Sequence, residues 1–323
     1  MLGHSVSILK SRVGGMRGST LTVGVGAQAG RNAFQANPLI GYAAMVLTVL
    51  IWAGFALSIR AIGASPLAPA DVALIRFGLP TLLLLPFLPA RWPMLRRVKP
   101  LSALMVLMGG GVPFFFMASA GGKVTSAAHV AALIAGTTPL SVALIAYVVD
   151  RQRIAAARGR AITIILAGVL LLLVSQSHVS HGAFVAGAGL LLLASLLWGS
   201  YTLGLRRAGL DAIGCALLLS VPSFLLTALL VSLGVVDSHI GHFTVANAMP
   251  FLLAQGLGVG VISSLSYALA IRHLDTPRCS AIGSLAPALA CLGAVPLLGE
   301  SLTLTVACGI AVITAGVILA NRA

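Results

Sequence analysis

Residues 161–177 run for seventeen positions without one charged side chain, and stretches of this kind recur along almost the whole chain. A helix needs about 20 apolar residues to cross a hydrocarbon core roughly 30 Å thick. In lipid every backbone N–H and C=O must be satisfied within the spanning structure, which leaves only helices or closed β-barrels. Barrel strands alternate polar and apolar side chains, whereas residues 170–174 and 190–193 are unbroken Leu/Val runs. The expected fold is therefore an all-α integral membrane protein. Only 8% of the 323 residues are charged, against about 25% in soluble domains, so the outer surface is expected to meet membrane lipid.

Ten spans are expected, near residues 40–60, 69–89, 101–120, 126–148, 161–178, 183–204, 212–235, 248–271, 279–298 and 302–320. With their connections they use up the chain from residue 39 onward, and no soluble domain fits. Residues 1–38 are Gly-rich and basic and are expected to form a disordered cytoplasmic tail. Within them, 21–29 is too glycine-rich to be the apolar core of a secretory signal. The run GVGAQAG at 24–30 lacks the preceding strand and following helix that a phosphate-binding loop requires.

A net charge of +14 raises the question of a nucleic-acid partner, which would need basic residues gathered on one solvated face. Here they stand in short clusters between apolar spans. With the N-terminus inside, 17 of the 20 Lys and Arg fall on the cytoplasmic side: Lys10, Arg12, Arg17 and Arg31; Arg91, Arg96, Arg97 and Lys99; Arg151, Arg153, Arg158 and Arg160; Arg206, Arg207, Arg272, Arg278 and Arg322. Only Arg60 and Lys123 fall outside, and Arg76 lies within a span. This asymmetry predicts a multi-pass protein with both termini in the cytoplasm and no nucleic-acid partner. The four cysteines (Cys215, Cys279, Cys291, Cys308) lie in apolar segments without CxxC spacing. They read as small buried hydrophobes, with no metal site expected.

The chain also repeats itself. LTVLIWAGFALSIRAIG, with Trp52, Phe55 and Arg60, matches LLASLLWGSYTLGLRRAG, with Trp198, Tyr201 and Arg206, at a shift of 146 residues. Pro139 and Gly168 find counterparts in Pro287 and Gly316 at a shift of 148. Several matches in order at nearly one shift mark a duplication, dividing the chain into five-helix repeats at 39–180 and 181–323. Five is odd, so the second copy must enter the membrane from the opposite side. The expected architecture is two inverted repeats, as in many secondary transporters, with substrate near the midplane between them.

The pattern over residues 39–321 resembles the EamA-type branch of the drug/metabolite transporter superfamily. The resemblance rests on the Trp52…Phe55…Arg60 and Trp198…Tyr201…Arg206 helix ends, the Pro139 and Pro287 helices, and the closing pattern PLLGESLTLTVACGIAVITAGVIL with Glu300 in its acidic position. The first half has Asp150 there and lacks the preceding glycine. Within the superfamily, bacterial aromatic amino-acid exporters look most similar. The resemblance implies ten helices, a bacterial inner (plasma) membrane location, export of amino acids or related metabolites, no catalysis and no cofactor.

The residues themselves suggest where transport would occur. Proline inside a helix removes a hydrogen bond and bends the axis. Pro113, Pro139 and Pro287, with Gly256, Gly258 and Gly260, mark spans three, four, eight and nine as the mobile, cavity-lining set; easing helix packing is the other reading. Trp52 and Trp198 suit either an interfacial belt or a cavity wall, since Phe55 and Tyr201 follow three residues later on the same face. Tyr267, after Ser263 and Ser264, offers a hydroxyl, and Phe114, Phe115 and Phe116 cannot all face one cavity. His129 could meet a substrate carboxylate or serve packing. Arg76 either snorkels to the interface or reaches inward to an anionic group.

Every Asp and Glu, Asp71 included, sits at a span end or in a connection, and no nucleotide-binding, HExxH or GxSxG motif occurs. A proton relay would place a carboxylate in the membrane. The function expected is secondary transport of a small amphipathic metabolite, including neutral and aromatic amino acids, by alternating access without obligatory proton coupling. A sugar-nucleotide or phosphorylated-metabolite carrier of the same fold, which would favour several cavity cations, and a channel are the alternatives. The partners expected are the small-molecule substrate and membrane lipid, with a monomer as the unit.

Overall fold

In the computed structural model, the described residues are 37–151, 156–174, 181–274 and 276–322. The tail expected over 1–38 lies outside them except at its end, where Asn37 caps the first helix and Pro38 opens it. The described residues are helical, with no strand among them. Seven helices are long and apolar enough to cross a membrane: α1 (Pro38–Ile62), α2 (Pro69–Leu95), α3 (Pro100–Lys123), α4 (Ala127–Val149), α6 (Gly182–Ala208), α7 (Ala212–Ser232) and α8 (Val245–His273). Three shorter apolar helices complete the order: α5 (Gly159–Val174), α9 (Ala286–Leu298, preceded by a short helix Thr276–Gly283) and α10 (Leu304–Ala320).

Large apolar side chains such as Leu50, Leu82, Leu170, Leu225 and Leu297 point outward. The core between the helices is built mainly from Ala, Val, Ile, Leu and Phe. The helices pair in a pattern that survives exchange of the two halves. α2 packs on α7, α5 on α10 and α4 on α9, while α1 against α8 and α9 is matched by α6 against α3 and α4. Close approach needs small residues: a Cβ on Gly168 would lie 2.6 Å from Ile313, and one on Gly316 would lie 2.7 Å from Ile165. These glycines make the α5–α10 contact.

Five helices are interrupted, each next to a proline or a glycine run, and α2 passes through a 3-10 turn at Leu85–Phe87 that holds Pro86. α3 breaks at Gly111 and restarts with Pro113 in its first turn. In α4 a π-turn over Ala132–Gly136 precedes the helix that holds Pro139 in its first turn. Proline has no N–H to give and crowds the carbonyl one turn back, so the preceding turn widens. The freed carbonyls are met by hydroxyls: Thr138 donates to Ile134 O at 2.9 Å, Ser195 of α6 reaches the same oxygen at 3.0 Å, and Thr137 lies 2.5 Å from Leu133 O. Ser195 also sits 2.8 Å from both Thr137 and Ser141. Irregular backbone at membrane depth is tolerated where protein groups re-satisfy it in this way. α8 carries a longer π stretch, Leu252–Ile262, and α9 restarts at Ala286 with Pro287 in its first turn.

The ends of the bundle are tied by polar contacts. At one end Asp71, 2% exposed, accepts from Ala68 N, from Ser238 Oγ at 2.6 Å and from His239 N at 3.0 Å, docking the α7–α8 connection on the start of α2. At the same end Gly299, in the left-handed conformation (φ 66°), closes α9 and sets Glu300 over the bundle. Glu300 accepts from Arg60 Nε at 3.0 Å and from Ala127 N at 3.0 Å, the first amide of α4, where the helix dipole favours an anion. At the opposite end Asn37 N donates to His273 Nδ1 at 3.0 Å, and Arg91 pairs with Asp211 at 3.3 Å.

Candidate functional site

Arg76 does not snorkel. It lies seven residues into α2, about 10 Å from the Glu300 end at 1.5 Å per residue, and is 4% exposed. Its guanidinium Nη1 donates to Gln255 Oε1 of α8, and Gln255 Nε2 donates at 2.7 Å to Ser58 Oγ of α1. Ser58 Oγ in turn donates to Phe55 O at 2.8 Å. The position of Gln255 follows from local packing: a Cβ on Gly256 would meet Leu79 at 2.9 Å, and one on Gly260 would meet Pro80 at 2.5 Å, so the glycines let α8 lie against α2.

The cation is surrounded by rings. Its carbon sits 5.2 Å from the centroid of Phe55 and 5.7 Å from those of Phe77 and Phe115. A desolvated contact of this kind contributes about 2 kcal/mol, which offsets part of the 2.5–3.5 kcal/mol that a central arginine costs in a membrane, roughly. What is missing is an acid. Among the described residues Arg76 has no carboxylate partner, and its buried Nε has no hydrogen-bond partner at all.

From Phe55 a row of aromatic side chains leads across the bundle. Phe55 stacks on Phe114 (6.0 Å, 14°), Phe114 leans on Trp198 (5.2 Å), and Trp198 on Tyr201 (4.7 Å). Gly110 makes room for the last, because a Cβ there would come within 2.8 Å of the Tyr201 ring. The structure thus brings Phe55, Arg76, Trp198 and Tyr201 into one cluster between α1, α2, α3, α6 and α8. Its chemistry is a cation with an open donor beside flat apolar walls, suited to a carboxylate joined to an apolar group.

Trp52 and Tyr267 form a separate pair, with centroids 5.3 Å apart, in the smaller core between α1, α8 and α9. His129 is placed elsewhere again. It is fully buried, Nε2 donates to Leu172 O at 3.2 Å, and Nδ1 therefore accepts from Ser126 Oγ at 2.6 Å. Its ring also meets Phe184 edge-on at 5.2 Å. These contacts tie the start of α4 to α5 and α6. Pro113, Pro139 and Pro287 each open a helix segment beyond a break.

Sequence reasoning missed Gln255 and Ser58 as parts of the site, and it left open which of Phe114, Phe115 and Phe116 belongs there. Gln255 carried a usable signal, an amide inside an apolar span, since polar groups at that depth face protein or a cavity.

The comparisons with known proteins fit this architecture. The model of the EamA-like transporter family matches the chain twice, over residues 39–174 and 185–322. The matches start 146 residues apart and end 148 apart, the shift seen in the internal repeat. No curated protein matches the chain. A solved crystal structure is 21% identical over 88% of this chain and 95% of its own, with a TM-score of 0.59, and shows a shared fold. With both halves matched from end to end, this chain belongs to the EamA-like transporter family, membrane transporters of small molecules, and carries two copies of its domain.

Proposed function

We propose that this protein is a secondary transporter exporting small amphipathic carboxylates, neutral amino acids including aromatic ones among them, by alternating access. The observation that carries this reading is Arg76, a buried guanidinium with an unpartnered Nε, no acid beside it among the described residues and a row of aromatic rings leading away. A carboxylate would complete the donor set, and the rings would take the apolar part. Phe55, Trp198 and Tyr201 form the near wall of the site. Trp52 and Tyr267 pair apart from this wall, in the core between α1, α8 and α9, and His129 supports α4.

The topology in this reading is ten spans, with α5, α9 and α10 crossing alongside the longer helices they pack on. The halves are inverted, both termini are cytoplasmic, and the membrane is the bacterial inner membrane. The exchange-symmetric pairing of helices supports it, because an odd-numbered unit duplicated in lipid must reverse direction. The interruptions in α3, α4, α8 and α9 supply points about which the halves can rock. Proton coupling is not obligatory, since no carboxylate of the described residues joins the Arg76 cluster.

Purified protein in liposomes tests this directly. Radiolabelled phenylalanine is expected to enter with saturable kinetics, and clamping both sides at equal pH is expected to leave that flux in place. Arg76→Gln and Trp198→Ala are expected to raise the half-saturation concentration, the first by about tenfold or more because a charged hydrogen bond is lost. Flux linear in concentration would indicate a channel, and flux abolished by the pH clamp would indicate obligatory proton coupling.

A further inference from the structure

We infer that the Arg76 site selects organic monoanions over zwitterions, so that its favoured cargo is a carboxylate on an aromatic or branched apolar body without an ammonium group, carried electrogenically. This deepens the transport reading above and rests on it.

The direction of the hydrogen bonds is the first observation. Arginine can only donate, so Gln255 must turn its carbonyl oxygen to Arg76 and its amide nitrogen to Ser58. Ser58 then passes its own proton to Phe55 O. The chain runs from donor to acceptor and ends on the backbone, so its open end, Arg76 Nε, is a donor. A ligand carboxylate can fill that end. An ammonium group would have to share an oxygen that already accepts, Gln255 Oε1 from Arg76 or Ser58 Oγ from Gln255, whereas the one unused partner in the chain is a donor.

Charge is the second. The acid nearest to Arg76 in sequence, Asp71, already accepts from Ala68, Ser238 and His239. Glu300 is taken by Arg60 and Ala127, and Asp211 by Arg91 and Gly214. Binding a monoanion therefore brings the occupied site close to neutrality, which a low-dielectric interior favours. A zwitterion would leave the same buried positive charge uncompensated and set a second cation beside the guanidinium. The ring faces nearest the guanidinium offer little relief, because Phe55, Phe77 and Phe115 already lie against Arg76.

Three probes with one phenyl ring separate the possibilities in liposomes at neutral pH, each corrected for protein-free vesicles: phenylpyruvate (carboxylate only), phenylalanine (carboxylate and ammonium) and phenylalaninamide (ammonium only). Phenylpyruvate is expected to half-saturate transport at a concentration about tenfold or more below phenylalanine, and phenylalaninamide is expected not to compete. A valinomycin-set potential of 100 mV, positive inside, should raise phenylpyruvate accumulation by about fiftyfold and leave phenylalanine unchanged. Gln255→Glu gives the site its own counter-charge and should shift the preference toward phenylalanine. Phenylalanine carried as well as or better than phenylpyruvate, with no response to potential, would overturn the charge selection while leaving the transporter in place. Failure of all three probes to move would remove the transport reading and this inference with it.

Discussion

Removing the Gln255 amide strands the buried Nη1 of Arg76 and takes from Ser58 Oγ the hydrogen bond it accepts, leaving that hydroxyl only its bond to Phe55 O. A buried polar group left without its partner costs about 1–3 kcal/mol. Gln255→Ala is therefore expected to lower the melting temperature in detergent and to raise the half-saturation concentration, because Arg76 loses its support. His129→Ala should behave differently. Its ring holds Ser126 and Leu172 rather than the Arg76 cluster, so stability should fall by a similar amount while half-saturation stays within about twofold. A binding defect as large as that of Gln255→Ala would place His129 at the substrate. At this scale part of the site was legible in sequence. A cation within a span and aromatic residues three apart near helix ends pointed to Arg76, Phe55, Trp198 and Tyr201. Gln255 and Ser58 were not legible, because their meaning depends on α1, α2 and α8 meeting, and no local window encodes which helices become neighbours. The same limit placed Trp52 and Tyr267 in a pair of their own.

Helix boundaries were read more easily than helix interiors. Span positions follow from hydropathy, and the helices mostly extend a few residues past the predicted limits, as in α2, which continues to Leu95. The π stretches of α4 and α8 have no hydropathy signal; proline marked the first, and only a glycine run marked the second. Packing between elements turns on individual glycines, which a paired substitution can measure. A Cβ on Gly109 would lie 2.3 Å from Leu197 O and 2.4 Å from Tyr201 N, both backbone atoms of α6, whereas one on Gly54 meets nothing within 4 Å. Gly109→Ala should force α3 away from α6 and destabilise by about 1–3 kcal/mol. Gly54→Ala should be neutral or stabilise by about 0.5–1 kcal/mol, as expected for a helical glycine given a side chain. Thermal unfolding of the two variants side by side checks both, and equal melting temperatures would contradict the packing described for α3.

For the whole molecule, the duplication was legible because the repeated positions keep one order and nearly one shift, and the family matches fall at the same displacement. The ties at the two ends were not legible, since they join residues far apart in the chain. Glu300 gathers Arg60 from α1 and the first amide of α4. Glu300→Gln keeps the shape and removes the charge. It should loosen that end, seen as faster hydrogen exchange at residues 127–131, with little change in overall stability because Arg60 stays 33% exposed and such a solvent-screened pair contributes only about 0–1 kcal/mol. Unchanged exchange there would mean that Glu300 does not hold α4.

The Arg76–Gln255 pair has a consequence for direction. At the repeat shift of 146–148, Arg76 corresponds to Pro222, Ser223 or Phe224, and Gln255 to Leu107, Met108 or Gly109. The second half thus has no guanidinium and the first no amide at these places. A frame made of two equivalent copies would, if empty of distinguishing groups, rest equally well tilted either way. In the alternating-access reading proposed above, one charge set off the axis, nearer one rim than the other, removes that degeneracy, and a single unduplicated arginine sets the side toward which the frame leans.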